Sequence, residues 1–262
     1  FMIASEAMSL TGGGGQVKRN APYVIALGMV LFTAIGQVIT TGLMGTGVLR
    51  DFQLKAHELF FTTRLTRFGY VGGRFVGGLL VMLVIYAALP VGMLLGSLAP
   101  WLDHDHVLPI RLWHYWQPYL VIVIPNVFFV SALFFAVGTL TRKMFLVYVQ
   151  GIVLLVIYSI TQNLLRNLDN FRLASMVDGF GITTVQLMTR YWSVAQKNAS
   201  VIPLEGYLLT NRLIWMGVAL ALLLVTWLLF RFDVEPLGLH RSRRGAVPAD
   251  KASATAAAAP AR

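Results

Sequence analysis

Asp103-His104-Asp105-His106, with His114 close behind, is the densest group of metal-ligand side chains in the sequence. Alternating carboxylates and imidazoles are hard and borderline donors, which suit a divalent ion. The group sits in a short connection just after Pro100 and Trp101, and no second cluster completes a ligand set. A solvated loop is therefore the expected role. Ser131 and Ser159 lie in apolar surroundings with no His or Asp beside them, and a serine nucleophile needs such a base. Gly12–Gly15 do not make a phosphate loop. A Walker motif requires Gly, four residues and then Gly-Lys-Ser/Thr, which Gln16-Val17-Lys18-Arg19 does not supply. Cysteine is absent, which removes disulfide frameworks, haem attachment and thiolate metal sites. No catalytic residue, cofactor or bound metal is expected.

The elements that must position any chemistry are apolar. Five runs contain no Asp, Glu, Lys, Arg or His: Pro22–Gly45, Phe75–Leu98, Pro118–Leu140, Met144–Gln162 and Leu213–Phe230. A bilayer core needs about 20 apolar helical residues, and a charge-free run of 18 or more is a spanning candidate. A charge at mid-bilayer costs roughly 2.5–3.5 kcal/mol on insertion scales, so its exclusion from all five runs is placement. The chain has 262 residues, 57% hydrophobic and 12% charged, with mean hydropathy +0.70. The expected fold class is all-α: a polytopic helical membrane protein with no room for a separate catalytic domain. The net charge of +10 then reads as orientation and contact with anionic lipid headgroups, and not as nucleic-acid binding.

Lys and Arg counts orient the spans. With the Leu49–Arg74 loop in the cytoplasm, that side holds 13 and the other 8, and basic residues favour the cytoplasmic side. The short connection Ala99–Gln117 holds only Arg111. The expectation is an external N-terminus and a cytoplasmic C-terminus. The sequence opens on Phe1, not Met, which suggests a fragment or processed chain; a lost first span would bring the total to six.

Residues 1–21 read as an external Gly-rich linker, 22–232 as the transmembrane domain, and 233–262 as a basic, Ala-rich cytoplasmic tail with the composition of a disordered segment. Leu49–Tyr70 differs in kind from the spans: Arg50, Asp51, Lys55 and Glu58 alternate with Leu54, Leu59, Phe60 and Phe61. Leu54, Phe61 and Leu65 mark one apolar side of an amphipathic helix at the membrane surface or against a partner. Gly69, Gly73 and Gly77 recur four apart, a spacing that lets two helices approach closely. Within the apolar runs Gln37, Asn126 and Gln150 are polar, and Pro125 precedes Asn126. They suit interhelical hydrogen bonds or the lining of a substrate path. Trp101, Trp113, Tyr115 and Trp116 suit an interfacial aromatic belt. In Leu164–Arg212, the patches Leu173–Val177, Val185–Met188 and Tyr191–Val194 suggest short helices on the outer surface, and Asn198-Ala199-Ser200 fits a glycosylation sequon.

Val48-Leu49-Arg50-Asp51-Phe52, His57-Glu58-Leu59-Phe60-Phe61-Thr62-Thr63 and Tyr70-Val71-Gly72-Gly73-Arg74-Phe75 resemble the cytoplasmic loop of ABC-2-type permeases, the membrane subunits of ATP-driven exporters. Arg19-Asn20-Ala21-Pro22, Pro100-Trp101-Leu102-Asp103, Pro125-Asn126, Leu140-Thr141-Arg142 and Arg190-Tyr191-Trp192 are similar to a bacterial subgroup whose long members fuse permease segments to an aminopeptidase-like domain. The resemblance covers roughly residues 17–232. The chain departs from it in lacking a first span and a zinc-binding His-Glu-x-x-His.

The resemblance implies a six-helix bundle, of which five helices are visible here, in a bacterial inner membrane. It implies an ATPase supplied by a separate subunit and a second permease copy or half. Asp51, Lys55, Glu58, Leu59 and Phe60 would then form the ATPase-coupling surface. The alternative, an ion-coupled secondary transporter, needs an ionisable residue inside the membrane, and none stands in the five runs. An intramembrane enzyme is the third reading and lacks a catalytic constellation.

Overall fold

The computed structural model describes residues 16–47, 49–54, 66–100, 104–165 and 175–230. Among these the chain is helical. α1 spans Pro22–Thr46, α2 Leu49–Gln53, α3 Arg67–Tyr86, α4 Ala88–Ser97, α5 Leu112–Pro118, α6 Ile124–Thr141, α7 Met144–Leu165, α8 Ile182–Thr189, α9 Val194–Ala199 and α10 Gly206–Leu229. Four helical stretches are long and apolar enough to cross a membrane: Pro22–Thr46, Phe68–Ser97, Leu112–Thr141 and Gly206–Leu229. The fifth expected run, Met144–Gln162, falls within the 22-residue helix α7 and is not among these four. The chain is thus an all-α polytopic helical protein with four candidate spans among the described residues. The tail from 233 onward lies outside them.

Apolar composition and burial divide the spans. Pro22–Thr46 and Leu112–Thr141 are each 61% buried, while Phe68–Ser97 and Gly206–Leu229 are 17% buried. The first two therefore form the centre, and the others present Val84, Leu95, Leu220 and Leu228 outward, as lipid-facing helices do.

Proline shapes two of the spans. Pro90 has no N–H and crowds the preceding turn, and the Phe68–Ser97 stretch changes from α3 to α4 at Ala87. The Leu83 carbonyl at that break accepts both the Ala87 N–H at 2.9 Å and the Tyr119 hydroxyl at 2.6 Å. Ahead of Pro125 the chain widens into a π turn, Tyr119–Val123, where the Ile124 N–H reaches back to the Tyr119 carbonyl. Such a turn absorbs the ring that a regular helix would clash with.

Small residues set the closest approaches. A Cβ on Gly138 would lie 2.5 Å from the Gly45 carbonyl oxygen, and one on Gly45 would lie 2.3 Å from Val147 Cγ1. α1, α6 and α7 therefore meet at one level. A second level joins Gly151 to Thr41 and Phe134. From these pairs α1 and α6 run parallel and α7 runs antiparallel to both. Gly36 and Thr40 receive Tyr86, and Gly78 receives Met44, which sets α3 antiparallel to α1.

The glycine stripe expected to face another helix meets none among the described residues. Among the described residues a Cβ on Gly73 or Gly77 would meet nothing within 4 Å, and one on Gly69 would meet only the nearby Thr66 side chain. Spacing identified a small-residue face, but the face that meets a neighbour on this helix is the one carrying Gly78, Met82 and Tyr86.

Candidate functional site

Polar groups gather at three levels of the bundle. The first is at the Pro22 end. Asp178 folds back on the chain that follows it. Its Oδ1 accepts the Phe180 and Gly181 N–H groups, each at 3.0 Å, and its Oδ2 accepts the Thr183 N–H at 2.5 Å. These donors lead into and open α8, where a carboxylate is favoured. Asn211 in α10 donates from Nδ2 to the carbonyls of Ser175, at 2.7 Å, and Asp178, at 2.8 Å. Burial nevertheless raises the Asp178 carboxyl above its ordinary value, against the pull of those N–H groups.

Arg212 stands beside Asn211 and is 5% exposed. Its guanidinium donates to the Phe180 carbonyl at 3.1 Å and to Asn126 Oδ1. Asn126, fixed after Pro125, donates its own Nδ2 to the same Phe180 carbonyl at 2.9 Å. Gly181 is required twice over. Its φ is +81°, and a Cβ there would stand 1.9 Å from Arg212 Nη2. Trp215 closes the cluster: its indole donates to the Met176 carbonyl at 3.1 Å, and its ring centre lies 4.7 Å from that of Phe129. The arrangement fastens 175–183 to α6 and α10.

The loops beside this cluster are tied as well. Asn198 accepts the Lys18 N–H at 2.9 Å and donates to the Gln16 carbonyl at 3.1 Å, so the sequon side chain is engaged. Asn20 exchanges two hydrogen bonds with the main chain of Leu108. Asp105 and His106 belong to a single 3-10 turn, whose carbonyls accept from Lys18 and Arg19. Among the described residues no three His, Cys, Asp or Glu side chains gather to hold a metal. Of the expected aromatic belt, Trp113 and Trp116 are exposed while Tyr115 is buried and donates to Ser97. α8, expected on the surface, buries Val185 completely.

The second level is within the bundle. Gln37 is 1% exposed, and neither amide atom has a hydrogen-bond partner among the described residues. Ser131 Oγ and Gln150 Oε1 are likewise buried without one, although Gln150 Nε2 donates to the Leu133 carbonyl at 3.3 Å.

The third level is at the Thr46 end. Asp51 in α2 accepts the Tyr70 hydroxyl at 2.8 Å and Arg74 Nη2 at 2.6 Å. Its carboxylate is turned into the protein and anchors α2 to α3. Lys55, Glu58, Leu59 and Phe60 lie outside the described residues.

Of the three polar residues expected to line a path, the structure separates their roles. Asn126 is fully engaged at the Pro22 end, while Gln37 and Gln150 stand deeper with unpartnered atoms. Sequence reasoning missed Arg212 because it bounded the last run at the first uncharged residue; the helix starts earlier, at Gly206, and takes Asn211 and Arg212 with it. Asp178-Gly179-Phe180-Gly181 carried a readable turn signal, but its partners are main-chain groups that no spacing rule names. Comparison with protein-family models, curated proteins and solved structures finds no match.

Proposed function

We propose that the chain is the membrane-spanning permease subunit of an ATP-binding-cassette exporter, of ABC-2 type, in a bacterial inner membrane. The observation that carries the reading is the short helix α2. It sits between the first and second membrane-crossing helices and is held by Asp51 against α3. In this reading the charged, amphipathic sequence that follows α2 is the element that meets the ATPase. The ordered likeness of residues 17–232 to that family supports the same reading. In it, Leu49–Tyr70 and the C-terminus face the cytoplasm. A separate ATPase binds and hydrolyses ATP, and a second copy or half encloses the path. Asp51 sets the angle of the coupling segment, and Lys55, Glu58, Leu59 and Phe60 make the contact.

Glu58→Arg tests this. A reversed charge at a complementary interface costs several kcal/mol, whereas on a lipid surface an added cation is favourable by about 1 kcal/mol. The variant is expected to insert and fold, to lose the co-purifying ATPase, and to lower transport-linked hydrolysis. Normal co-purification and hydrolysis would remove the assignment.

Arg212 and Asp178 favour a second reading, an ion-coupled secondary transporter. Arg212 is a buried cation within a membrane-crossing helix, the kind of residue such transport uses. The two readings divide on energy source: transport in vesicles driven by ATP with a protonophore present belongs to the first, and transport driven by an imposed ion gradient without ATP to the second.

A further inference from the structure

Gln37 and Ser131 occupy one seam between α1 and α6. Gly45 and Gly138 meet backbone to backbone, so levels on the two parallel helices can be counted from that contact. Gln37 lies eight residues before Gly45, and Ser131 seven before Gly138. At a rise of about 1.5 Å per residue the two stand within about 2 Å of the same level. Their faces agree as well. Gln37, Thr41 and Gly45 recur four apart, and Ser131, Phe134 and Gly138 recur at three and four, so each set lies along one side of its helix. Thr41, Gly45, Phe134 and Gly138 are the residues that make the α1, α6 and α7 contacts.

The seam therefore collects a primary amide and a hydroxyl, 1% and 0% exposed, whose three polar atoms lack partners among the described residues. Turning Ser131 toward Gln37 does not repair this. Ser131 can satisfy either the nitrogen or the oxygen of the Gln37 amide, and the other remains. Thr41 has no donor left for the Gln37 amide oxygen, its hydroxyl donating to the Gln37 carbonyl at 2.8 Å, and Gln150 Oε1 is itself buried without a partner among the described residues. An unpaired amide in a hydrocarbon-enclosed bundle is strongly disfavoured. The α1 and α6 helices carry no charged residue, which disfavours an ion as the missing partner. An occupant must be small, uncharged, and both donor and acceptor.

We propose that the Gln37–Ser131 seam is a hydration site, in which ordered water bridges the amide and the hydroxyl inside the bundle. Water supplies two donors and two acceptors, and buried waters typically make about three bonds to groups that otherwise lack them. The site is independent of the transport reading.

The absence of cysteine makes the test clean. Ser131→Cys and Ala132→Cys place a thiol on adjacent residues of α6 that are both 0% exposed, but only the first is on the seam. Each purified variant is treated with methyl methanethiosulfonate, which is small and neutral and reacts with the hydrated thiolate. Ser131→Cys is expected to react at least tenfold faster than Ala132→Cys, and adding Gln37→Leu is expected to bring the rate down to that of Ala132→Cys. Equal rates for the two positions, or a Ser131→Cys rate that Gln37→Leu leaves unchanged, would overturn the site. Should either cysteine variant fail to elute as folded protein, the unsubstituted chain answers instead. Radiolytic hydroxyl labelling in 18O-water is expected to mark Phe134, on the seam, above Phe135, which packs on Phe75. Equal labelling of the two rings would overturn the site.

Discussion

Each end of the bundle sets an Asp near an Arg, and the two ends use them in opposite ways. At the Thr46 end, Asp51 and Arg74 touch at 2.6 Å, with the arginine side chain 38% exposed. At the Pro22 end, the Asp178 carboxylate is taken by backbone N–H groups and Arg212 by a carbonyl and an amide. The difference is one of solvent. A pair with one hydrated partner holds two elements through a force that salt partly weakens. A buried set bound to the main chain holds only in one geometry, and removing any member strands the others. The Pro22 end is built to stay closed. The Thr46 end is built around a contact with one partner in solvent.

The contrast is most directly broken at Arg212. Arg212→Met should leave Asn126 Oδ1 without its donor and Asp178 without its neighbouring cation. Losing one member of a buried charged network costs about 3 kcal/mol or more, so thermal unfolding in detergent should show a large fall in apparent Tm, independent of salt. Arg212→Lys should fall between, because one ammonium cannot reproduce the two-headed contact. At the other end, Asp51→Asn should cost less than Arg212→Met, because Arg74 is partly hydrated and an amide oxygen can still accept from Tyr70, and the gap from the unsubstituted protein should narrow as salt is raised. If the Asp51 variant proved as damaging as Arg212→Met, the two ends would not differ in kind.

The pH response sharpens the same point. Burial holds the Asp178 carboxyl above its ordinary value of 3.8, so the folded chain binds its proton more tightly than the unfolded chain does. The contribution is present below that ordinary value and is lost as pH rises through the raised one. Unfolding followed across mildly acidic pH should show stability declining through that window, and Asp178→Asn should flatten the decline. A slope unchanged in Asp178→Asn would assign the effect elsewhere. The smallest expected change in stability comes from Gly73→Leu with Gly77→Leu. Both positions are open within the chain, so the monomer should keep its Tm. If a second permease copy packs on that face, as the proposed function allows, cross-linked dimer should disappear.

What the sequence made legible follows from solvent. Hydrocarbon tolerates no stray charge and no unpaired backbone, so the apolar runs had to be helices, and Pro90 and Pro125 fall where the helices change. The loop at the Pro22 end was not legible in that way. Lys18, Asn20 and Asn198 meet main-chain groups more than 80 residues distant, and no local pattern encodes such a pairing. The glycines show the same limit from the other side: Gly69, Gly73 and Gly77 had the better spacing, but Gly45 and Gly138 had the neighbours. Periodicity says that a face is smooth, and packing decides whether anything rests on it.

The π turn at Tyr119–Val123 has a consequence for how this span tolerates change in length. An extra residue in one turn rotates everything before it by about 100° relative to everything after it. Upstream, Tyr115 reaches Ser97 and Tyr119 reaches Leu83; downstream, Asn126 meets Arg212 and Gly138 meets Gly45. The two halves are thus phased separately, like two dials on one shaft, and the wide turn is the offset between them. Deleting a single residue there, even exposed Leu120, would erase the offset. One half could keep its bearings only by turning the other away from its partners.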